Sequence, residues 1–507
     1  MQEKIISLII PPSPFLLDER VFMSLGILKI ASVLEKEGHL VELIDLSGVS
    51  NYCEAIEDHV RLNIGKRIYG ITATTPQIPY AYKISQSIRK IDPFAKQILG
   101  GSHVTLIYSA FNKEMQNKHS QRATNAYNKL SATFDVLVSG DGEFAIFEAI
   151  KDNSPKLILA DNTKSKYFLK NDDLNKLPFP ARHLLDVKSY KYSIDNFPAL
   201  SLISQLGCPF SCGFCGGRNT QFLRKVRARS SNSIVSEMIH LYKTYGTKGF
   251  MLYDDELNIN NNQMIELMKK IIDAQEKLGV EWRLRGFVKS QLFNDLQAKL
   301  MYEAGFRWIL SGFESADDRI LQNMNKKSTS LENTRCLEIA KNNNLKVKAL
   351  MSIGHPAESY ESTEKTLNWL LENNPEDFDV TIITSYPGSP YYDDAIAHSE
   401  KKGIWVYTVP KTGDKLYTEE VDYMEVANYY KGDPSKGYKS YVYTDYLTSE
   451  EIVKRRDYIE TTVRTKLNIP LYLSAPASLY EHSMGQFRLP DFILKQSNNN
   501  IVEEVII

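Results

Sequence analysis

The sequence predicts an α/β protein: a doubly wound, Rossmann-like N-terminal domain, then a partial (β/α)6 barrel, then a small, mainly helical C-terminal domain. Three observations predict it. Short apolar runs alternate with helical patterns through residues 1–150. The alternation restarts at residue 199 and supplies six more strand-like runs before residue 400. After that the composition shifts to tyrosine-rich loops and one helical stretch. The expected boundaries are 1–150, a linker over 151–198, the barrel over 199–400 and a substrate-capping domain over 401–507.

Residues 5–10 read as the first strand. Residues 22–37 read as a helix, because Leu25, Leu28, Ala31 and Leu34 recur on one face, and Gly38 stands where a helix C-cap belongs. Residues 41–44, 68–72, 97–99 and 136–138 read as further strands, with helices over 51–62, 79–91 and 143–151 between or after them. Five parallel strands with crossover helices make a doubly wound sheet. Pro11-Pro12-Ser13-Pro14 follows the first strand, with no G-x-G-x-x-G, which disfavours NAD. Residues 110–133 are polar and read as an insertion with a helix. Leu177-Pro178-Phe179-Pro180 reads as stiff extended chain, since proline disfavours helix in the residue before it. In the barrel the expected strands are 200–204, 249–253, 281–286, 308–312, 346–351 and 378–384. Such a barrel places its chemistry at the strands' C-terminal ends.

Bulk properties exclude several functions. Lys plus Arg number 61 against 62 Asp plus Glu, so nothing favours nucleic acid or an anionic membrane as partner. No apolar run is long enough to span a bilayer, and the start lacks a signal-peptide profile, so a cytoplasmic enzyme is expected. Five cysteines, three of them within eight residues, do not form a disulfide framework. Cys208, Cys212 and Cys215 are spaced C-x3-C-x2-C directly after the first barrel strand. Iron–sulfur clusters are held by thiolates, normally four, so three leave one iron open. Structural zinc would need a fourth ligand, the nearest downstream being His240; unliganded core cysteines are the remaining alternative. Cys53 and Cys336 read as core residues.

Gly207-Cys208-Pro209-Phe210-Ser211-Cys212-Gly213-Phe214-Cys215-Gly216-Gly217 resembles the defining motif of the radical S-adenosylmethionine (SAM) superfamily. The resemblance implies a [4Fe–4S] cluster on the three cysteines, SAM chelated to the open iron, and reductive cleavage to a 5′-deoxyadenosyl radical. It implies SAM contacts at Phe214, Gly216, Asp254, Asp255, Arg285, Glu314 and Ser315, with Arg285 taken as the end of the third strand. The alternatives are a core role for Phe214, a surface turn for Asp254 and Asp255, and a surface ion pair for Arg285. Gly354-His355-Pro356 and Tyr386-Pro387-Gly388-Ser389-Pro390 resemble turns of the cobalamin-linked branch, with His355 where that branch has a small or apolar residue.

The N-terminal domain resembles cobalamin-binding radical SAM enzymes in three segments: Met23-Ser24-Leu25-Gly26-Ile27-Leu28, Leu99-Gly100-Gly101-Ser102-His103-Val104-Thr105 and Ser139-Gly140-Asp141-Gly142-Glu143. Glycines after strands admit a bulky ligand close to the backbone. Cobalamin contacts are thereby implied at Ser24, Leu25, Gly100, Gly101, His103, Val104, Gly140, Gly142 and Glu143, with Thr74, Thr75 and Gln77 facing the lower side of the corrin. D-x-H-x-x-G is absent, so no lower-ligand histidine is expected, and His103 is expected to hydrogen-bond cofactor periphery or backbone.

Together these imply a class B radical SAM methyltransferase. It would move a methyl group from methylcobalamin to an unactivated carbon of a small-molecule substrate, after hydrogen abstraction. A one-electron reductant such as flavodoxin or ferredoxin would be the external partner. No general base is required and none is named. The alternatives are a cobalamin-dependent cyclase or ring-rearranging enzyme and, from another class, a non-catalytic cobalamin carrier or sensor. The tyrosines of 429–446 either line a substrate mouth or pack the tail.

Overall fold

The computed structural model describes residues 5–16, 19–117, 121–430 and 437–469. The N-terminal sheet holds β1 (Ile5–Ile10), β2 (Val41–Asp45), β3 (Arg67–Thr72), β4 (Lys96–Gly100), β5 (Val136–Gly140) and β6 (Leu157–Ala160). Its order is β2-β1-β3-β4-β5-β6, all parallel. Side chains alternate between two buried faces: Ile6, Leu8 and Ile10 pack with Ile27, Ala31 and Leu34, while Ile9, Ile71 and Leu99 pack with Ile84 and Ile88. Both faces are covered by helices, as a parallel sheet requires. The chain reverses direction across the sheet between β1 and β3, and that crevice at the strands' carboxyl ends is where such sheets bind ligands.

The second sheet runs β15-β14-β13-β12-β11-β8-β7. It is formed by β7 (Ser193–Ile194), β8 (Phe197–Leu202), β11 (Gly249–Leu252), β12 (Arg283–Phe287), β13 (Phe306–Glu314), β14 (Lys346–Ile353) and β15 (Asp377–Ile382). The six strands from β8 onward are parallel, and β7 pairs antiparallel with β8. Leu200, Leu202, Phe250, Leu252, Leu284 and Ile309 pack outward under the helices. Ala199, Met251 and Leu310 face inward, and Tyr192 and Ile194 close the barrel floor. A two-strand pair, β9 (Gln205–Leu206) with β10 (Arg227–Ala228), frames the cysteine loop.

A buried ion pair joins the two units, and a second buried group ties the connecting stretch to the barrel. Arg227 holds Asp141 at 2.5 Å, while Glu237 receives Arg182 at 2.9 Å and Arg229 at 2.6 Å. All five side chains are buried, and each charge has a partner, as burial demands.

Three expectations are corrected. The N-terminal sheet has six strands rather than five: β6 lies in the stretch read as a linker, where its four apolar residues form an edge strand on β5. The helix Asn171–Lys176 and β7 also fall in that stretch. The C-terminal region is not mainly helical among its described residues. It forms a four-stranded antiparallel sheet of β16 (Ile396–Ala397), β17 (Ile404–Thr408), β18 (Lys415–Glu419) and β19 (Val442–Tyr443). Trp405, Tyr407, Leu416 and Thr418 point inward in alternation, a period-2 pattern that tyrosine content obscured. Its one long helix, Ser449–Lys466, packs on β15 instead, where Arg464 reaches Asp377 at 3.3 Å. Residues 431–436 and 470–507 of the expected capping domain lie outside the described residues.

Candidate active site

The cysteine loop leaves β8 and is pinned from three sides. Gly207 has φ +84°, and a side chain there would run into the Lys225 carbonyl. The Cys208 amide donates to the Leu223 carbonyl at 2.9 Å. Asn325 donates to the Ser211 carbonyl at 2.8 Å, and the Gly213 amide donates to the Met324 carbonyl at 2.8 Å. The Tyr391 amide donates to the Gly213 carbonyl at 3.0 Å, and the Tyr391 ring leaves no room for a Cβ at Gly213. Buried Arg218 gathers the loop's carbonyls, donating to Cys208 at 2.7 Å, Phe210 at 3.2 Å and Gly216 at 3.4 Å.

This environment suits thiols that meet a metal. All three cysteines are free; Cys212 is buried, and Cys208 and Cys215 are half-buried. Burial pushes the Cys215 thiol up to about 12, and it raises Cys208 as well, with Arg218 opposing in both cases. Such thiols stay protonated until a metal takes up the thiolate charge. Lys289 and Lys326 add positive charge beside Cys212.

The strand ends carry the remaining polar groups. Asp254 is committed to structure: it accepts from the Ser204 amide at 2.7 Å, the Gln205 amide at 3.1 Å and the Ser204 hydroxyl. Asp255 is exposed and Glu256 half-buried; burial pushes Glu256 up to about 7, with Lys326 and Lys289 opposing. Glu314 sits at a break in the β13–β14 register with φ +65°. It pairs with Lys326 at 3.0 Å and accepts from Ser352 at 2.7 Å. Burial works against its charge, yet Lys326 and Ser352 hold its carboxyl below the usual range. Ser352 lies 2.8 Å from His355 Nε2, and His355 Nδ1 lies 3.2 Å from the Tyr391 hydroxyl. The His355 ring meets Phe214 edge-on at 5.3 Å, and burial pulls the imidazole down to about 4. A continuous buried chain thus runs from Lys326 to Tyr391 behind the cysteine loop.

Two residues stand apart from the expected site. Arg285 does not end its strand. Gly286 and Phe287 follow it, and its guanidinium lies 5.0 Å over Trp308 inside the barrel, with Nε and one terminal nitrogen unpartnered. The cation at that strand end is Lys289, 4.7 Å over the Phe210 ring. Ser315 accepts from the Asp317 amide and faces Thr366 at 3.5 Å, on the helix side. Gly216 turns toward Leu106 of the N-terminal helix Ser102–Asn117. Arg218, Lys289, Lys326, Ser352 and Tyr391 were not among the expected site residues, because no motif spacing connects them.

In the N-terminal unit, Leu25, Gly100, Gly101, Gly140, Gly142 and Glu143 line one largely apolar cleft of about 260 Å³ at the strands' carboxyl ends. Gly101 has φ +98°, and a Cβ there would stand 2.6 Å from the Ala73 carbonyl. Residues 203–206, just before the cysteine loop, form the far wall. Ser24, Thr74, Thr75, Gln77, His103 and Val104 do not line this cleft. Gln77 ties the 74–77 turn to the loop after β1, donating to the Pro11 carbonyl at 3.2 Å. His103 is buried, lies 3.1 Å from the Thr75 hydroxyl and packs edge-on against Tyr423; burial pulls it down to about 3.

Residues 202–370 match the family model of the radical SAM superfamily. An uncharacterized methyltransferase of Pyrococcus horikoshii is 28% identical over 415 residues, covering 78% of this chain and 83% of that protein. An anaerobic magnesium-protoporphyrin IX monomethyl ester cyclase of Rubrivivax gelatinosus is 26% identical over 377 residues, covering 71% and 64%. Among solved structures, the radical SAM methyltransferase TsrM of Kitasatospora setae, with cobalamin and a [4Fe–4S] cluster bound, superposes with a TM-score of 0.64. It is 14% identical, over 90% of this chain and 91% of that one.

Proposed function

The chain carries a radical SAM domain over residues 202–370, and from that premise we propose that it is a cobalamin-dependent radical SAM methyltransferase acting on a small molecule. The observation that carries the reading is the juxtaposition of the cysteine loop with the N-terminal cleft: residues 203–206, which lead directly into the loop, form the cleft's far wall. The residues fit the implied groups. Cys208, Cys212 and Cys215 would hold the cluster, and the glycine-lined apolar cleft would hold part of a corrinoid. When bound, the cluster supplies the electron that cleaves SAM, and the corrinoid supplies the methyl group.

This chain's residues do the positioning. Arg218, Lys289 and Lys326 offset the negative charge of three thiolates. Phe214 and Gly216 stand beside the last cysteine, and Asp255, Glu256 and Glu314 present carboxylates for an ammonium or hydroxyl group of SAM. The Ser352–His355–Tyr391 chain holds Phe214 and Glu314 in place. Residues 1–150 form the corrinoid unit in this reading, and the 401–507 region caps the substrate. A flavodoxin or ferredoxin delivers the electron, in the cytoplasm. No described helix is long and apolar enough to cross a membrane.

The cyclase relatives support a second reading, in which the same parts close a ring without methyl transfer. The test is turnover of anaerobically reconstituted protein with SAM, cobalamin, a low-potential reductant and candidate metabolites. 5′-Deoxyadenosine with a methylated product is expected. 5′-Deoxyadenosine with an unmethylated cyclic product establishes the second reading, and intact SAM leaves only a carrier or sensor.

A further inference from the structure

His355 sits in the turn after β14, but its ring does not build that turn. Glu358 does: its carboxylate accepts from the Gly354 amide at 3.1 Å, and its own amide donates to the His355 carbonyl at 2.9 Å. Both ring nitrogens are spent elsewhere, Nε2 on the Ser352 hydroxyl at 2.8 Å and Nδ1 on the Tyr391 hydroxyl at 3.2 Å. Ser352, His355 and Tyr391 are all buried. Apolar groups of the same shape could replace such a set at little cost in stability, so stability alone does not account for it. Its one end that meets open space is Glu314, which is half-buried.

Each proton in the set can be assigned. Burial works against the Glu314 charge, but Lys326 and Ser352 hold it ionised, so its carboxylate only accepts. Ser352 therefore gives its one hydrogen to Glu314 Oε2 at 2.7 Å and accepts from His355. The imidazole hydrogen is then on Nε2. Burial keeps the ring neutral, so Nδ1 is bare and accepts from the Tyr391 hydroxyl. Tyr391, His355 and Ser352 form a one-way donor series that ends on the Glu314 carboxylate. At its other end, the Tyr391 amide donates to the Gly213 carbonyl at 3.0 Å, and the Tyr391 ring fills the space over Gly213. An ionised carboxylate has about four acceptor sites. Lys326 and Ser352 fill one each, which leaves the others for an ammonium or hydroxyl of a ligand. We propose that His355 is a positioning residue, which sets the affinity for SAM through Ser352 and Glu314 and ties that affinity to the cysteine loop through Tyr391. The inference rests on the reading of this site as a radical SAM centre.

Equilibrium binding of SAM to the anaerobically reconstituted full-length protein tests this, with iron and sulfide measured on the same samples. His355→Leu should weaken SAM binding about tenfold, the scale of one hydrogen bond to a charged group, at wild-type iron and sulfide content. His355→Gln, which keeps one donor and one acceptor, should recover most of the loss. Ser352→Ala should weaken binding as much as His355→Leu does. The double variant should be no worse than either alone, because the two residues act on Glu314 in series. Tyr391→Phe keeps the ring over Gly213 and should cost less. His355→Leu binding SAM like wild type overturns the proposal, as do a glutamine variant as weak as the leucine variant and losses that add in full. Iron loss from both His355 variants also overturns it, since His355 would then serve the loop and not SAM. Wild-type protein that holds its cluster but binds no SAM removes the radical SAM reading, and the proposal with it.

Discussion

Arg218 shows how much of the site rests on single side chains. It is the guanidinium that draws three loop carbonyls together beside the cysteines. Arg218→Gln should cost roughly 3 kcal/mol of local stability, two charge-assisted hydrogen bonds' worth, and speed iron loss to a chelator more than tenfold by the same free-energy scale. Arg218→Lys should lie between; a glutamine variant that keeps its iron like wild type would refute the clamp. His103 allows a pH test away from the metal. Its unfolded form takes a proton near pH 6.5, whereas the buried ring resists until about 3. Between those values the unfolded chain binds more protons, so stability falls as pH falls, by about 1.4 kcal/mol per unit. Urea titrations of wild type and His103→Gln should therefore converge as pH drops from about 6 to about 4; a constant gap would contradict the buried neutral ring. At this scale the cysteines were legible, because thiolate spacing is local. Lys289 and Lys326 were not: lysine is common, and only the folded barrel brings these two beside Cys212. Arg285 was misplaced because the strand runs on to Phe287, which turns the last inward cation position over to Lys289.

At the scale of elements, glycines at strand ends decide whether a ligand can approach. Gly101 closes β4 in a left-handed conformation with the Ala73 carbonyl where a Cβ would stand. Gly101→Ala should cost about 1–3 kcal/mol and reduce corrinoid affinity, read by thermal unfolding and absorbance titration; an unchanged variant would show that this turn does not shape the cleft. The six barrel strands were legible because each is a short apolar run before a helical pattern, and each formed in the expected order. The C-terminal sheet was not legible. Ile404–Thr408 and Lys415–Glu419 alternate in burial, but their inward residues include Tyr407 and Thr418, which read as polar without the partner strand.

Over the whole molecule, the carboxyl ends of two parallel sheets meet around the cysteine loop, and a buried ion pair sets their relation. Asp141 lines the cleft, and Arg227 is on β10, which frames the loop. Arg227→Met leaves Asp141 buried without its counter-charge, a loss of about 3–5 kcal/mol. It should loosen both the cleft and the cluster, lowering corrinoid affinity and iron retention together. Loss of one without the other would show that the two sites are structurally independent. In the proposed function three thiolates leave a metal vertex open to SAM beside a corrinoid cleft. Electron paramagnetic resonance of the reduced, reconstituted protein reads that vertex. A [4Fe–4S] signal that shifts on adding SAM, and that Cys208→Ala, Cys212→Ala and Cys215→Ala each abolish, is the predicted result. A cluster signal indifferent to SAM, or metal analysis showing zinc in place of iron and sulfide, would contradict it.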